Sequence, residues 1–117
     1  MIDRKAFISG IKGTTLSKSE IKFLKYHKPW GIILFSRNLK TIKQIKSLTK
    51  KIRLIFRDKN YPILIDQEGG RVNRLNNFLS LDNLTAEYFG KLYIKDKKKF
   101  NFVYKLFIDK TCYLLSN

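Results

Sequence analysis

Apolar residues recur along the chain in two different periods, and the switches between them outline its elements. Ala6-Phe7-Ile8-Ser9-Gly10-Ile11 predicts a short strand, stopped by Lys12-Gly13. Ser17 and Glu20 have the Ser-x-x-Glu spacing of a capping box, so a helix is expected to start there. Its apolar positions Ile21, Leu24 and Tyr26 are expected to face inward, and Pro29 to end it. Gly31-Ile32-Ile33-Leu34-Phe35 is a continuous apolar run of strand length, the pattern of a strand buried on both faces of a parallel sheet. Ser36-Arg37-Asn38 turns the chain. Thr41 and Gln44 repeat the capping-box spacing, and Ile42, Ile45, Leu48, Ile52 and Ile55 recur at helical spacing to about Arg57. A turn at Asp58-Lys59-Asn60 leads into a third buried strand, Tyr61-Pro62-Ile63-Leu64-Ile65, with proline tolerated near its start.

The order strand, helix, strand, helix, strand predicts βαβ units and a right-handed parallel sheet, an α/β fold. Asp66-Gln67-Glu68-Gly69-Gly70-Arg71-Val72-Asn73-Arg74-Leu75 is polar and glycine-bearing where the earlier strand ends are plain. A loose stretch from Asn76 to Leu84 follows. Two helices are then expected, at Ala86 to Tyr93 and Lys98 to Leu115, the second with Phe100, Val103, Phe107 and Leu114 as its apolar stripe. No internal repeat and no low-complexity linker interrupts the pattern.

With 117 residues at 13.9 kDa and 44% apolar residues, the chain has the length and material for one domain with a core. Its hydrophobicity argues against disorder. No apolar run approaches the ~20 residues that span a bilayer. The amino terminus lacks a signal-peptide pattern, and a single cysteine, Cys112, makes neither an internal disulfide nor a structural zinc site. The expectation is a cytoplasmic chain with no cofactor, no metal and no membrane partner. The net charge of +16 raises the question of nucleic acid. Lysine outnumbers arginine 19 to 6 and only two alanines occur, the bias of A/T-rich codons. The basic residues also lack focus, the one run being Lys97-Lys98-Lys99, a solvated helix start. The charge is therefore read as compositional, with no specific nucleic-acid partner.

In a parallel α/β sheet ligands sit at the carboxyl ends of strands, here near Lys12-Gly13-Thr14, Ser36-Arg37-Asn38 and Asp66. The third is the richest. Asp66, on the last residue of its strand, offers a rigid carboxylate that can accept from two hydroxyls. Gly69-Gly70 permits a sharp turn, and Arg71 and Arg74 add planar donor forks. The competing structural reading is that Glu68 and Arg71 brace the turn as an ion pair while Asp66 only caps the strand. A hydrolase pair of Asp66 and Glu68 is rejected. Their Cα atoms would lie roughly 7 Å apart, compatible with the ~5–9.5 Å carboxyl separations of glycosidases. Both acids, however, would reach a sugar from one side, whereas displacement needs opposite faces. His27 reads as a cap or surface residue and Cys112 as core. Gly10-Ile-Lys-Gly13 is too sparse for a dinucleotide fingerprint, and the sequon Asn83-Leu84-Thr85 is read as chance.

Two segments together resemble a known family. Gly31-Ile-Ile-Leu-Phe-Ser-Arg-Asn38 resembles the G-x-I-L-F-x-R-N segment of bacterial β-N-acetylhexosaminidases of glycoside hydrolase family 3. Ile65-Asp-Gln-Glu-Gly-Gly-Arg-Val-Asn-Arg-Leu75 resembles that family's I-D-Q-E-G-G-R-V-x-R-L signature, in the right order after the first. The resemblance runs from about Phe7 to the end of the chain. It implies a (β/α)8 barrel and an exo-acting, retaining hydrolase that removes terminal N-acetylglucosamine, a carbohydrate substrate, in the cytoplasm during peptidoglycan recycling. By position, Asp66 matches the aspartate that accepts from sugar hydroxyls and Arg74 a substrate-binding arginine.

The family's later K-H-F-P-G-H-G segment, its acid/base histidine and its aspartate nucleophile have no counterpart here, so no residue is assigned a catalytic role. Such a barrel usually takes ~250 residues. The expectation is therefore that residues 1–117 are the N-terminal part of the barrel, about three βα units, truncated before the fourth strand and inactive alone. The alternative is a catalytically dead, small basic α/β module that binds polyanions or a protein partner.

Overall fold

The computed structural model describes residues 3–116. Three strands, β1 (Lys5–Gly10), β2 (Pro29–Leu34) and β3 (Ile63–Ile65), form one parallel sheet in the order β1-β2-β3. Helix α1 (Lys18–His27) connects the first two and α2 (Ile42–Phe56) the second two. Ile8 pairs with Gly31 and Gly10 with Ile33, with a register shift between Lys5 and Ile8; Ile32, Ile33 and Leu34 pair with Ile63, Leu64 and Ile65. Crossovers between parallel strands are right-handed by rule, which puts both helices on one face, and α1 and α2 meet. Helices α3 (Ala86–Lys95) and α4 (Lys97–Ser116) follow.

The chain divides into two compact units, one of Met1–Glu68 with Val72–Ser80, the other of Gly69–Arg71 with Leu81–Asn117. The core of the first joins Leu24 of α1, Ile32 and Leu34 of β2, Leu48 and Ile52 of α2, and Tyr61. β2 is the central strand and the best buried, as its unbroken apolar run requires. Gly31 is needed for close approach: a Cβ there would lie 3.1 Å from the Pro62 carbonyl oxygen and from Leu64 Cδ1. The second unit is organised by aromatic rings. Phe89 of α3 meets Phe100, Tyr104 and Phe107 of α4 at 6.2, 5.1 and 5.4 Å between ring centroids, largely edge-on or tilted as ring quadrupoles favour. The expected stripe of Phe100, Val103, Phe107 and Leu114 is the half-buried side of α4.

Local chemistry sets the element ends. Ser17 and Glu20 make the full capping box, Ser17 Oγ accepting from the Glu20 N–H and Glu20 Oε2 accepting from the Ser17 N–H. Glu20 Oε1 also accepts from the Lys12 N–H at 2.8 Å, tying the start of α1 to the loop after β1. Burial works to raise the Glu20 pKa, but the amides of Lys12 and Ser17, the Ser17 hydroxyl and the Lys12 charge hold it below its usual value. At Thr41 the box is only half made. Thr41 caps Gln44, whereas Gln44 Oε1 accepts from Lys40 and its amide donates to the Thr14 and Asn38 carbonyls. Pro29 does not end α1. Lys28, with φ 46°, caps the helix in the left-handed conformation, and Pro29 is already the first residue of β2.

Three further expectations are corrected. Tyr26 is 76% exposed, because Leu24 alone anchors that side of α1. Cys112 is exposed, since it lies on the side of α4 away from the aromatic stripe. The third strand is Ile63–Ile65, shorter than the run from Tyr61, because Tyr61 leaves the ladder to fill the core.

Tyr61 is buried, stacks on Phe56 at 3.8 Å, lies under the Arg4 guanidinium and donates its hydroxyl to the Pro29 carbonyl at 2.7 Å. Burial pushes the hydroxyl pKa up from 10.0 to about 12, with the charge of Arg4 opposing. A raised folded-state pKa means the neutral hydroxyl's contribution is whole below pH 10 and is lost as the pH rises through 12. Tyr61→Phe is expected to cost about 1–2 kcal/mol at pH 7, for the orphaned carbonyl. It should also remove part of the stability loss between pH 10 and 12, read as the difference between urea-unfolding curves of the two proteins.

Candidate functional site

The carboxyl ends of the three strands carry the polar chemistry of the first unit. At the end of β2, Asn38 is fully buried. Its Oδ1 accepts from the Phe35 N–H at 2.8 Å, and its Nδ2 donates to the carbonyls of Ile11 at 3.2 Å and Gly13 at 2.8 Å. One side chain thus closes its own turn and fixes the loop after β1. Burial of an amide is tolerable because donor and acceptor are both satisfied.

At the end of β3, Asp66 is the first residue past the strand rather than its last. Arg74 folds back onto it: Nη2 donates to Asp66 Oδ2 at 3.0 Å and Nε to the Asp66 carbonyl at 3.2 Å. The Asp66 side chain keeps 40% of its surface and that of Arg74 28%. Oδ1 of Asp66 accepts no hydrogen bond among the described residues. The return of the chain is held by a second buried amide. Gln67 Oε1 accepts from the Arg74 N–H and its Nε2 donates to Asn73 Oδ1; Asn73 Nδ2 donates to the Leu79 carbonyl. Asn73 is buried and its Oδ1 also caps the Leu75 N–H. The backbone carrying the Arg74 fork is thus held by the half-buried Gln67 and the buried Asn73, and the fork itself by Asp66.

Phe35 joins the two ends. Its ring carries the Arg37 guanidinium at 4.7 Å and the Arg74 guanidinium at 5.7 Å from its centroid. The Asp66 and Arg74 picked from the sequence are brought together, although eight residues apart. Glu68 and Arg71 are both exposed. Gly69 and Gly70 have φ +89° and +56°, so both occupy the region that favours glycine, and a Cβ on Gly70 would press on Thr85 Cγ2 at 3.1 Å. Sequence reasoning gave Phe35, Gln67 and Asn73 no role of their own, and Asn38 entered only as part of the Ser36-Arg37-Asn38 strand end.

His27 ends α1 against the rings of Phe23 and Tyr26. Exposed lysines stand on all four helices rather than on one element. No described helix is long and apolar enough to cross a membrane.

A strand-end carboxylate crossed by an arginine fork lies at the end of a parallel sheet where α/β proteins generally hold ligands. Comparisons with known proteins find similarity to β-hexosaminidases. No protein-family model matches the chain. The β-hexosaminidase of Haemophilus ducreyi is 44% identical over 86 residues, covering 73% of this chain and 24% of that protein. That of Alkalilimnicola ehrlichii is 45% identical over 67 residues, 56% of this chain and 18% of the relative. Native NagZ from Neisseria gonorrhoeae superposes with a TM-score of 0.68 at 33% identity, over 81% of this chain and 27% of that one. A glycoside hydrolase family 3 β-N-acetylglucosaminidase from Paenibacillus sp. gives 0.56 at 32% identity, over 64% of this chain and 15% of that one. The chain is thus a homologue of bacterial β-hexosaminidases, with the fold of the matching part of family 3 enzymes. It spans about a quarter or less of the length of the relatives it matches.

The Asn38 clamp yields a direct test. Asn38→Asp puts a carboxylate against two carbonyl oxygens and is expected to destabilise the fold by about 3 kcal/mol or more. Asn38→Ala, which removes the partners without adding repulsion, should cost less; urea midpoints at pH 7 rank the two.

Proposed function

We propose that this chain is the N-terminal part of the (β/α)8 barrel of a family 3 β-N-acetylhexosaminidase, about three βα units of residues 1–117, and carries part of the sugar subsite. The parent activity in this reading is retaining hydrolysis of terminal N-acetylglucosamine from peptidoglycan-derived fragments, in the cytoplasm. The observation that carries it is the Asp66–Arg74 pair at the carboxyl end of β3, inside the Asp66-Gln-Glu-Gly-Gly-Arg-Val-Asn-Arg74 segment that resembles the family signature. Support for a sugar ligand comes from NagZ of Neisseria gonorrhoeae, solved in complex with N-trifluoroacetyl-D-glucosamine, which matches 81% of this chain at 34% identity and a TM-score of 0.68.

The division of labour follows from geometry. Asp66 Oδ1 accepts from sugar hydroxyls while Arg74 holds Oδ2 and orients the carboxylate. Hydrogen bonds of this kind bind the sugar in ground and transition states alike. Without a nucleophile on one face and a proton donor on the other, they supply affinity and little rate.

The pure chain is expected to shift the Asp66 and Arg74 signals saturably when N-acetylglucosamine is titrated into a labelled sample, with weak affinity. It should release no chromophore from a chromogenic N-acetylglucosaminide. Asp66→Ala should weaken the sugar response by about tenfold or more, the loss of a charged acceptor. Turnover by the pure chain, or a sugar response indifferent to Asp66, defeats the reading.

A further inference from the structure

Arg37 is not used by the sugar subsite, yet it is held more firmly than an exposed arginine ordinarily is. Its Nε donates to the Ile11 carbonyl at 3.1 Å, the same oxygen that accepts from Asn38. Its guanidinium lies 4.7 Å from the centroid of Phe35. Beneath both is Gly10, the last residue of β1: a Cβ there would stand 3.4 Å from Arg37 Nη2 and from Phe35 Cε2. Strand end, aromatic ring and loop carbonyl therefore fix one plane for the fork.

What they leave open is its outer side. The residue is exposed, and among the described residues neither Nη group has an acceptor. Arg74 shares the Phe35 ring but has spent Nη2 and Nε on Asp66, so the two arginines are not equivalent. A planar guanidinium whose entropy is already restricted, and whose Nη groups point at no protein oxygen, suits two-pronged binding of an oxyanion.

The geometry points to Arg37 as an oxyanion-binding residue beside the Asp66–Arg74 pair, receiving a carboxylate or phosphate group borne by the ligand. Its place in an acidic sugar or glycan rests on the sugar reading above; the oxyanion site itself does not. Asp66 then engages neutral hydroxyls and Arg37 the charged group, each fixed to the end of a different strand. Phe35 is the positioning residue that keeps the two arginines on one ring.

The test is a titration of the full labelled chain with sodium acetate and, separately, sodium phosphate, at ionic strength held constant with chloride. The Arg37 Nε–H signal and the Ile11 and Asn38 amides report binding. A saturable response to at least one anion is expected, acetate marking a carboxylate ligand and phosphate a phosphorylated one. Arg37→Lys keeps the charge but not the fork and should weaken that response at least about tenfold. Phe35→Leu keeps Arg37 but not its platform; a severalfold weakening is expected, and this variant carries the test if Arg37→Lys does not fold. Lys18→Gln, a change of charge on exposed α1, should leave the response intact. Shifts that rise linearly and match chloride, or equal loss in the Lys18 variant, overturn the assignment. N-acetylglucosamine forms a separate arm. Anion saturation with a silent sugar removes the sugar reading alone, and a sugar response without anion saturation removes the oxyanion site alone.

Discussion

The carboxyl ends of β1 and β2 are held together by one buried amide, and the rest of the first unit is arranged around it. Parallel strands are paired along their length by the ladder, but the loops leaving them are not. The loop after β1 contributes the carbonyls of Ile11 and Gly13, and the turn after β2 contributes the Phe35 N–H; all three bond to Asn38. Each is a backbone group that needs a partner away from water. Because the amide presents an acceptor on one side and two donor hydrogens on the other, no apolar side chain and no carboxylate of similar size satisfies the same set. Fixing Ile11 in turn fixes Arg37, and fixing Phe35 gives both arginines their platform.

The end of β3 solves the same problem with different parts. Gln67 and Asn73 bond to each other and to the backbone of Arg74, Leu75 and Leu79, so the segment returns to the sheet without regular secondary structure. Rigidity in a polar loop comes here from satisfied amides, which pin dihedrals that a helix or strand would otherwise fix. That is why Asp66 keeps an open oxygen while its other oxygen is engaged: the clamp on Arg74 is independent of any ligand.

The sequence made legible whatever depends on neighbours a few residues away. The runs at Gly31–Phe35 and around Ile63–Ile65, the isoleucine spacing of α2 and the stripe from Phe100 to Leu114 all carry their period in the chain itself, and the Ser17–Glu20 box is fully local. Asp66 and Arg74 were found by chemistry at a strand end and by family resemblance, not by contact. What escaped was set by long-range partners. Asn38 bonds to Ile11 and Gly13, more than twenty positions earlier, and Gln44 reaches Thr14 rather than completing its own cap. No period or spacing announces such bonds. Tyr26 and Cys112 failed for the converse reason: an apolar residue on a helix is buried only where another surface meets it, and none does at those positions among the described residues.

The sheet's outer strands impose a final physical constraint. Among the described residues β1 and β3 each pair only with β2, so each has one row of backbone donors and acceptors without a ladder partner. On β1 the apolar Phe7 and Ile8 are 36% and 46% exposed, and Trp30 of β2 is 46% exposed. Unpaired edges beside exposed apolar side chains favour further strand pairing or self-association, and the charge of +16 opposes self-association between copies. The two effects differ in reach. Charge repulsion acts over about 8–10 Å at moderate salt and fades as salt rises, whereas edge pairing and apolar contact act only on touching. Salt therefore weakens the repulsion while leaving edge pairing and apolar contact in place.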